Sequence, residues 1–201
     1  MTHRSWRPLA AAGAAVVALG ALGAGAPALA DTAPKVVTST APMVSKGYDA
    51  KVAEAHGFKI VTAADGTQSS VPVTDDAKAL VAASKPTGVH VLNTVSGDCG
   101  SSTVTAYYTS PAKVTVFTSY KVRLTSVSQN WHVNAVPAAT GKIAHVFNFS
   151  GLNSSPSWTG QPQTATIAYS GSGGDAQVTL GSYAILVDGD VCYSGGPFDT
   201  W

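Results

Sequence analysis

The sequence predicts a mainly β protein: an antiparallel β-sandwich, Ig-like or jelly-roll-like, with one disulfide and a small helix–hairpin–helix element before it. Three observations carry this reading. Between Val114 and Leu124 every even position except Thr118 is large and apolar, and the odd positions hold Thr115, Phe117, Ser119, Lys121 and Arg123. A period of two over such a run marks a strand with one buried face. Short runs of similar character recur through the C-terminal half, separated by turn chemistry, which favours a sandwich or barrel. Finally, the only two cysteines, Cys99 and Cys192, lie near opposite ends of that half.

Taken in chain order, residues 1–30 have the three regions of a secretory signal peptide. Arg4 and Arg7 give the basic start, Pro8 to Ala26 is uncharged and rich in Ala, Val, Leu and Gly, and Ala28-Leu29-Ala30 supplies a small-x-small site. Cleavage after Ala30 leaves Asp31 as the new N-terminus. Residues 31–45 lack periodicity and are expected to form a flexible tether. The stretch 46–87 is read as a small α+β preface. Tyr48 to His56 places Tyr48, Val52 and Ala55 at helical spacing with Gly57 as C-terminal cap. Phe58–Thr62 and Gln68–Val73 flank the tight-turn pair Asp65-Gly66. Asp75 to Ala83 follows as a second helix, with Thr74 as N-cap and Asp75 and Asp76 in its positive first turn. Lys85-Pro86-Thr87-Gly88 marks the boundary to the sandwich, residues 88–201.

Strands are expected at Val89–Val95, Thr103–Tyr108, Val114–Leu124, Trp131–Ala135, Ile143–Phe149, Ala165–Tyr169 and Val178–Val187, where Gly181 reads as a bulge. Turns are expected at Thr109–Pro111, Ser126–Asn130, Ala138–Gly141, Asn153–Pro156 and Ser170–Gly174.

Without its leader the chain keeps 10 basic residues against 11 acidic ones, a net charge of −1. That balance gives no footprint for nucleic acid and no attraction to an anionic membrane once the leader is removed. Export also places the cysteines in an oxidising compartment, where two of them with no third competitor pair in one way. The rival reading of this region is sharper. Gly97-Asp98-Cys99-Gly100-Ser101 resembles the nucleophile turn of chymotrypsin-like cysteine proteases, and His56 and His90 precede it. It needs a free thiolate and leaves Cys192 idle.

Other chemistry is sparse. His132 and His145 lie in separate strands without metal-ligand spacing; His145 is expected in the core and His132 towards solvent. Asp188-Gly189-Asp190 holds the weak candidates for a cation site, but its plainer reading is a tight turn. Beyond Gly88 there is no Glu, and the aspartates sit beside Gly or Phe in turns, a poor basis for the paired carboxylates of a glycosidase. Gly171 to Asp175 is rich in glycine but lacks the Lys-Ser/Thr of a phosphate loop, and no cofactor motif is present. The aromatic residues are more suggestive. Trp158 falls in the polar loop Asn153–Gln163, Trp131 lies near a turn, and Tyr107 and Trp201 are candidates for exposure. An exposed ring offers an apolar face to a sugar, so Trp131, Trp158 and Tyr107 are the binding candidates, set against the usual fate of tryptophan in a core.

Several segments together resemble a set of small exported proteins of high-GC Gram-positive bacteria. They are the Ala-rich leader, Ala55-His56-Gly57-Phe58-Lys59-Ile60-Val61-Thr62 with Asp65-Gly66, Gly97-Asp98-Cys99-Gly100-Ser101-Ser102, and Val191-Cys192-Tyr193-Ser194-Gly195-Gly196-Pro197. The resemblance implies location and host type and no mechanism. The expected function is that of a secreted, non-enzymatic binding or surface-associated protein with a polysaccharide or protein ligand. A secreted hydrolase and a secreted enzyme inhibitor are the alternatives.

Overall fold

In the computed structural model, which describes residues 38–84 and 97–201, the alternating run of the sequence becomes β5 (Lys113–Val122), and its even positions face a continuous core. Val114, Val116, Tyr120 and Val122 are buried, and so is Thr118. The hydroxyl of Thr118 donates to the Thr103 carbonyl and accepts from the Trp131 indole, so the one polar residue in the row is satisfied inside. The expected signal peptide with its Ala30–Asp31 cleavage point, His90, the strand Val89–Val95 and the boundary 85–88 lie outside the described residues.

The molecule is mainly β. The strands are β1 (Ser39–Tyr48), β2 (Phe58–Thr62), β3 (Gln68–Pro72), β4 (Gly100–Ser110), β5, β6 (Ser126–Pro137), β7 (His145–Phe149), β8 (Ser157–Thr159), β9 (Gln163–Thr166), β10 (Gly174–Val178), β11 (Tyr183–Leu186), β12 (Asp190–Ser194) and β13 (Phe198–Thr200). Apart from the β2–β3 hairpin they form one antiparallel network in the order β13-β10-β6-β11-β12-β1-β4-β5-β8, with β7 also on β6 and β9 also on β5. β6 serves two neighbourhoods. Its first half pairs with β11, and its second half pairs with β10 on one edge and β7 on the other. The end strand β13 returns to β4, where the buried carboxylate of Asp199 accepts from the Ala106 amide at 2.8 Å.

The Cys99–Cys192 disulfide is formed, with a Cα–Cα distance of 5.7 Å, and both residues are buried. In the chain-entropy account, closing a loop with a sequence separation of 93 stabilises by about 4.5 kcal/mol.

Several expectations are corrected. The tether expected over 31–45 contains most of β1, which pairs with β12 on one side and β4 on the other. Only Met43 of this strand is fully buried, so apolar alternation gave no signal; backbone pairing on both edges holds it. Ser126–Asn130, expected as a turn, is the first half of β6, because β11 satisfies its backbone. The long final run Val178–Val187 is broken by a turn between β10 and β11, with Gly181 in that turn rather than in a bulge. His145 is exposed at the start of β7, edge-on to Phe147.

Before the main network, helix α1 (Ala50–Ala55) is capped by Asp49, whose carboxylate accepts from the Lys51 and Val52 amides. Helix α2 (Asp75–Ser84) has Thr74 at its N-terminus, whose hydroxyl accepts from the Ala77 amide. These elements are tied to the turn between β11 and β12. The Asp49 amide donates to the Gly189 carbonyl at 2.7 Å, and the Ser70 hydroxyl donates to the Asp188 carbonyl at 2.7 Å. Gly189 has φ +85°, and a Cβ there would meet the Asp49 carbonyl oxygen at 2.5 Å, so only glycine fits this junction.

Candidate functional site

Two of the three aromatic candidates face inwards. Trp131 is 0% and Trp158 3% exposed, and neither offers a ring to a ligand. Trp158 falls on β8 because its partner Tyr120, in register across the β5–β8 pair, supplies an apolar wall. Tyr120 stacks on Trp158 at 5.1 Å and lies tilted against Trp131 at 5.0 Å, and Phe149 closes the cluster edge-on. The Tyr120 hydroxyl bonds to Ser126 and Gln129. Burial pushes its pKa up to about 12, against a small downward pull from Ser126. These residues form the aromatic heart of the core. The loop expected over Asn153–Gln163 contains β8, which ties Trp158 to β5.

Tyr107 has the opposite setting. It lies on β4 and stacks on Phe117 of β5, with ring centroids 5.6 Å apart and planes 25° apart. Both are half-buried. They occupy the outer face of β4 and β5, where hydroxyls pair across the strands. Thr103 bonds to Ser119 at 2.7 Å, Thr115 to Thr164 at 2.7 Å and Thr38 to Thr105 at 2.9 Å. The strand registers set Thr40, Thr103, Ser119 and Thr159 in one row across β1, β4, β5 and β8. Neighbouring strands lie ~4.8 Å apart and outward residues of one strand ~6.7 Å apart, so the hydroxyls form a regular lattice beside the aromatic stack. Further along the same face Tyr183 and Tyr193 approach to 5.3 Å, and the Lys46 ammonium lies 4.7 Å over the Tyr193 ring.

Phe117 and the hydroxyl rows were not among the residues the sequence singled out as a site. Their signal was present, since they are the polar-side positions of the alternation Thr115, Phe117, Ser119 and Lys121. Only the β4–β5 register brings Tyr107 to them.

The Asp188-Gly189-Asp190 turn is a clamp rather than an open carboxylate pair. Both carboxylates are buried, and Arg123 reaches them at 2.6 Å and 2.7 Å. Burial works against the charge on Arg123, but the two carboxylates outweigh it and raise its pKa. Asp190 also accepts from the Ser45 hydroxyl and lies 3.3 Å from the Cys99 sulfur. Burial first, and then Asp190, push the Tyr48 hydroxyl up. A cation here would have to displace the guanidinium. The one geometric cluster of metal-ligand types among the described residues is Cys99, Asp190 and Cys192. Two of its three members are joined in the disulfide and have no thiolate to offer. The same bond removes the nucleophile from the Gly97–Ser101 turn.

Two grooves accompany these sites. One, of about 350 Å³, runs along Val127–Trp131 and Phe149–Leu152, and none of its lining side chains titrates near neutral pH. The other, of about 400 Å³, lies against α1, α2 and Val187 and is lined in part by His56 and Asp76.

No family model, curated protein or solved structure matches this chain.

Proposed function

We propose that this is an exported, non-enzymatic binding or surface-associated protein that attaches to polysaccharide through the outer face of β4 and β5. The single observation that carries this reading is the Tyr107–Phe117 stack set among cross-strand hydroxyl pairs on a sheet surface. Aromatic faces pack against the C–H faces of sugar rings, and hydroxyls exchange hydrogen bonds with those of the polymer. An open sheet surface suits an extended chain or a solid better than it suits a small soluble molecule, which is usually enclosed in a concave pocket. The disulfide and the Arg123 clamp support the reading by holding the scaffold rigid, so that little ordering cost accompanies binding.

In this reading the scaffold is an antiparallel sandwich with a helix–hairpin–helix preface, and residues 1–30 direct export before cleavage at Ala30–Asp31. The test is retention of the oxidised mature chain on a panel of insoluble polysaccharides. Wild type should be retained on at least one, and the double variant Tyr107→Ala/Phe117→Ala should be released from it at a temperature where it is still fully folded, its melting point lowered by only a few degrees. Wild-type binding to none of the panel, or undiminished binding by the double variant, overturns the reading.

A further inference from the structure

The charge on this face narrows the ligand. Strands β1, β4, β5, β8 and β9 contain Lys46, Lys113 and Lys121 and not one Asp or Glu. All three lysines are exposed. Lys113 and Lys121 share the outward parity of Phe117, four residues to either side of it, so their Cα atoms flank the aromatic stack at roughly 13 Å each. Lys46 shares the outward parity of Val44, whose register partner is Tyr193, the ring that the lysine covers.

The carboxylates are elsewhere or already engaged. Asp188 and Asp190 belong to Arg123, Asp199 is buried against β4, and Asp98 accepts from the Ser45 amide at 2.9 Å. The stretch 49–76 holds five more acids. A mature chain with a net charge of −1 thus turns to solvent a sheet face whose strands β4, β5, β8 and β9 carry lysines and no carboxylate, with the exposed Asp98 at its β1 margin beside Lys46. Such segregation complements an anionic partner and adds attraction at a distance that a neutral polymer would not feel.

We infer that the polymer bound here is an anionic polysaccharide whose charges are carboxylates on the sugar rings, a polyuronate. This rests on the polysaccharide reading above and sharpens it. The aromatic stack requires sugar rings in the polymer backbone, which a chain of simple polyol phosphates lacks. The cations are lysines, compact point charges on flexible stems that can follow single carboxylates spaced along a chain. A carboxylate polymer laid along β5 meets an ammonium, an aromatic platform and a second ammonium in succession.

The test uses the oxidised mature protein and four probes: polygalacturonate, microcrystalline cellulose, chitin and poly(glycerol phosphate). Binding is read by affinity electrophoresis or pull-down at low and high salt. Polygalacturonate should be bound most tightly, and raising the salt from 20 mM to 300 mM should weaken it by about tenfold as the charges are screened. Lys113→Gln/Lys121→Gln should weaken binding at low salt by about tenfold and leave the melting temperature unchanged. Lys59→Gln, on β2, serves as the control and should bind like wild type. Preference for cellulose or chitin with no salt dependence overturns this inference and leaves the polysaccharide reading standing. Equal or tighter binding to poly(glycerol phosphate) also overturns it. Retention on none of the four removes both.

Discussion

Along β5 the two faces of one strand differ in almost every property. The inward residues Val114, Val116, Thr118 and Tyr120 are 0–2% exposed and pack into one aromatic and aliphatic cluster. Of the outward residues, Lys113, Phe117, Ser119 and Lys121 keep contact with solvent while Thr115 is 5% exposed, and the polar contacts of Thr115 and Ser119 are single hydroxyl pairs. The inner face carries the free energy of the fold. The outer face contributes little to it, and its order is inherited from the strand registers behind it. A surface that stability does not constrain is free to be shaped for a ligand, so the two faces should respond to substitution in opposite ways.

The largest effect is expected at the centre of the inner face. Trp131 is fully buried, touches Tyr120 and Trp158, and donates its indole N–H to Thr118 at 2.9 Å. Trp131→Ala removes that packing, leaves a cavity and strips the Thr118 hydroxyl of a donor. A loss of about 3–5 kcal/mol is expected by denaturant titration. A loss below about 1 kcal/mol would mean that this cluster is not the core.

How much of this was legible in the sequence depends on what each residue needed from afar. The alternation of β5 is local, so the strand, its buried face and the inward Tyr120 follow from the sequence. β1 was hidden because its stability is in its backbone pairing to β4 and β12, which lie more than fifty residues and more than a hundred residues further along the chain. The strand that carries Trp158 was hidden for a related reason, although a place in the core is the usual fate of tryptophan. Its polar neighbours made the segment read as a loop, and the wall that buries it comes from β5, β6 and β7. Of the proposed site, Tyr107 was singled out in advance. Phe117 and the lysines were visible as outward residues, but no spacing within one strand shows that they share a surface with Tyr107.

A smaller effect, confined to alkaline solution, is expected from Tyr120. Its pKa in the folded state, about 12, stands above the ordinary value of 10.0. The folded chain therefore holds a proton that the unfolded chain has released. This contribution is fully present below pH 10 and is lost as the pH rises from 10 through about 12, an effect on the order of 2 kcal/mol. Melting curves at pH 9 and pH 11.5 should show a steeper fall for wild type than for Tyr120→Phe, with a difference of about 4–8 °C. Parallel falls would mean that the hydroxyl reaches water in the folded state.

The smallest change in stability is expected on the outer face, and there it sharpens the comparison. Tyr107 and Phe117 are half-buried and stacked on each other, so Phe117→Ala removes one stacked pair from a partly solvated face. The cost in a denaturant titration should be about 1 kcal/mol, as for a cross-strand aromatic pair. The same substitution should weaken attachment to a bound polysaccharide far more than this loss of stability explains, because the platform that meets the sugar ring has gone. Trp131→Ala should reverse the pattern. At a temperature where the variant is still folded, attachment should be nearly retained, since β4 and β5 keep their register through the backbone. If both variants instead lost stability and attachment in proportion, the outer face would be no more than the back of the core.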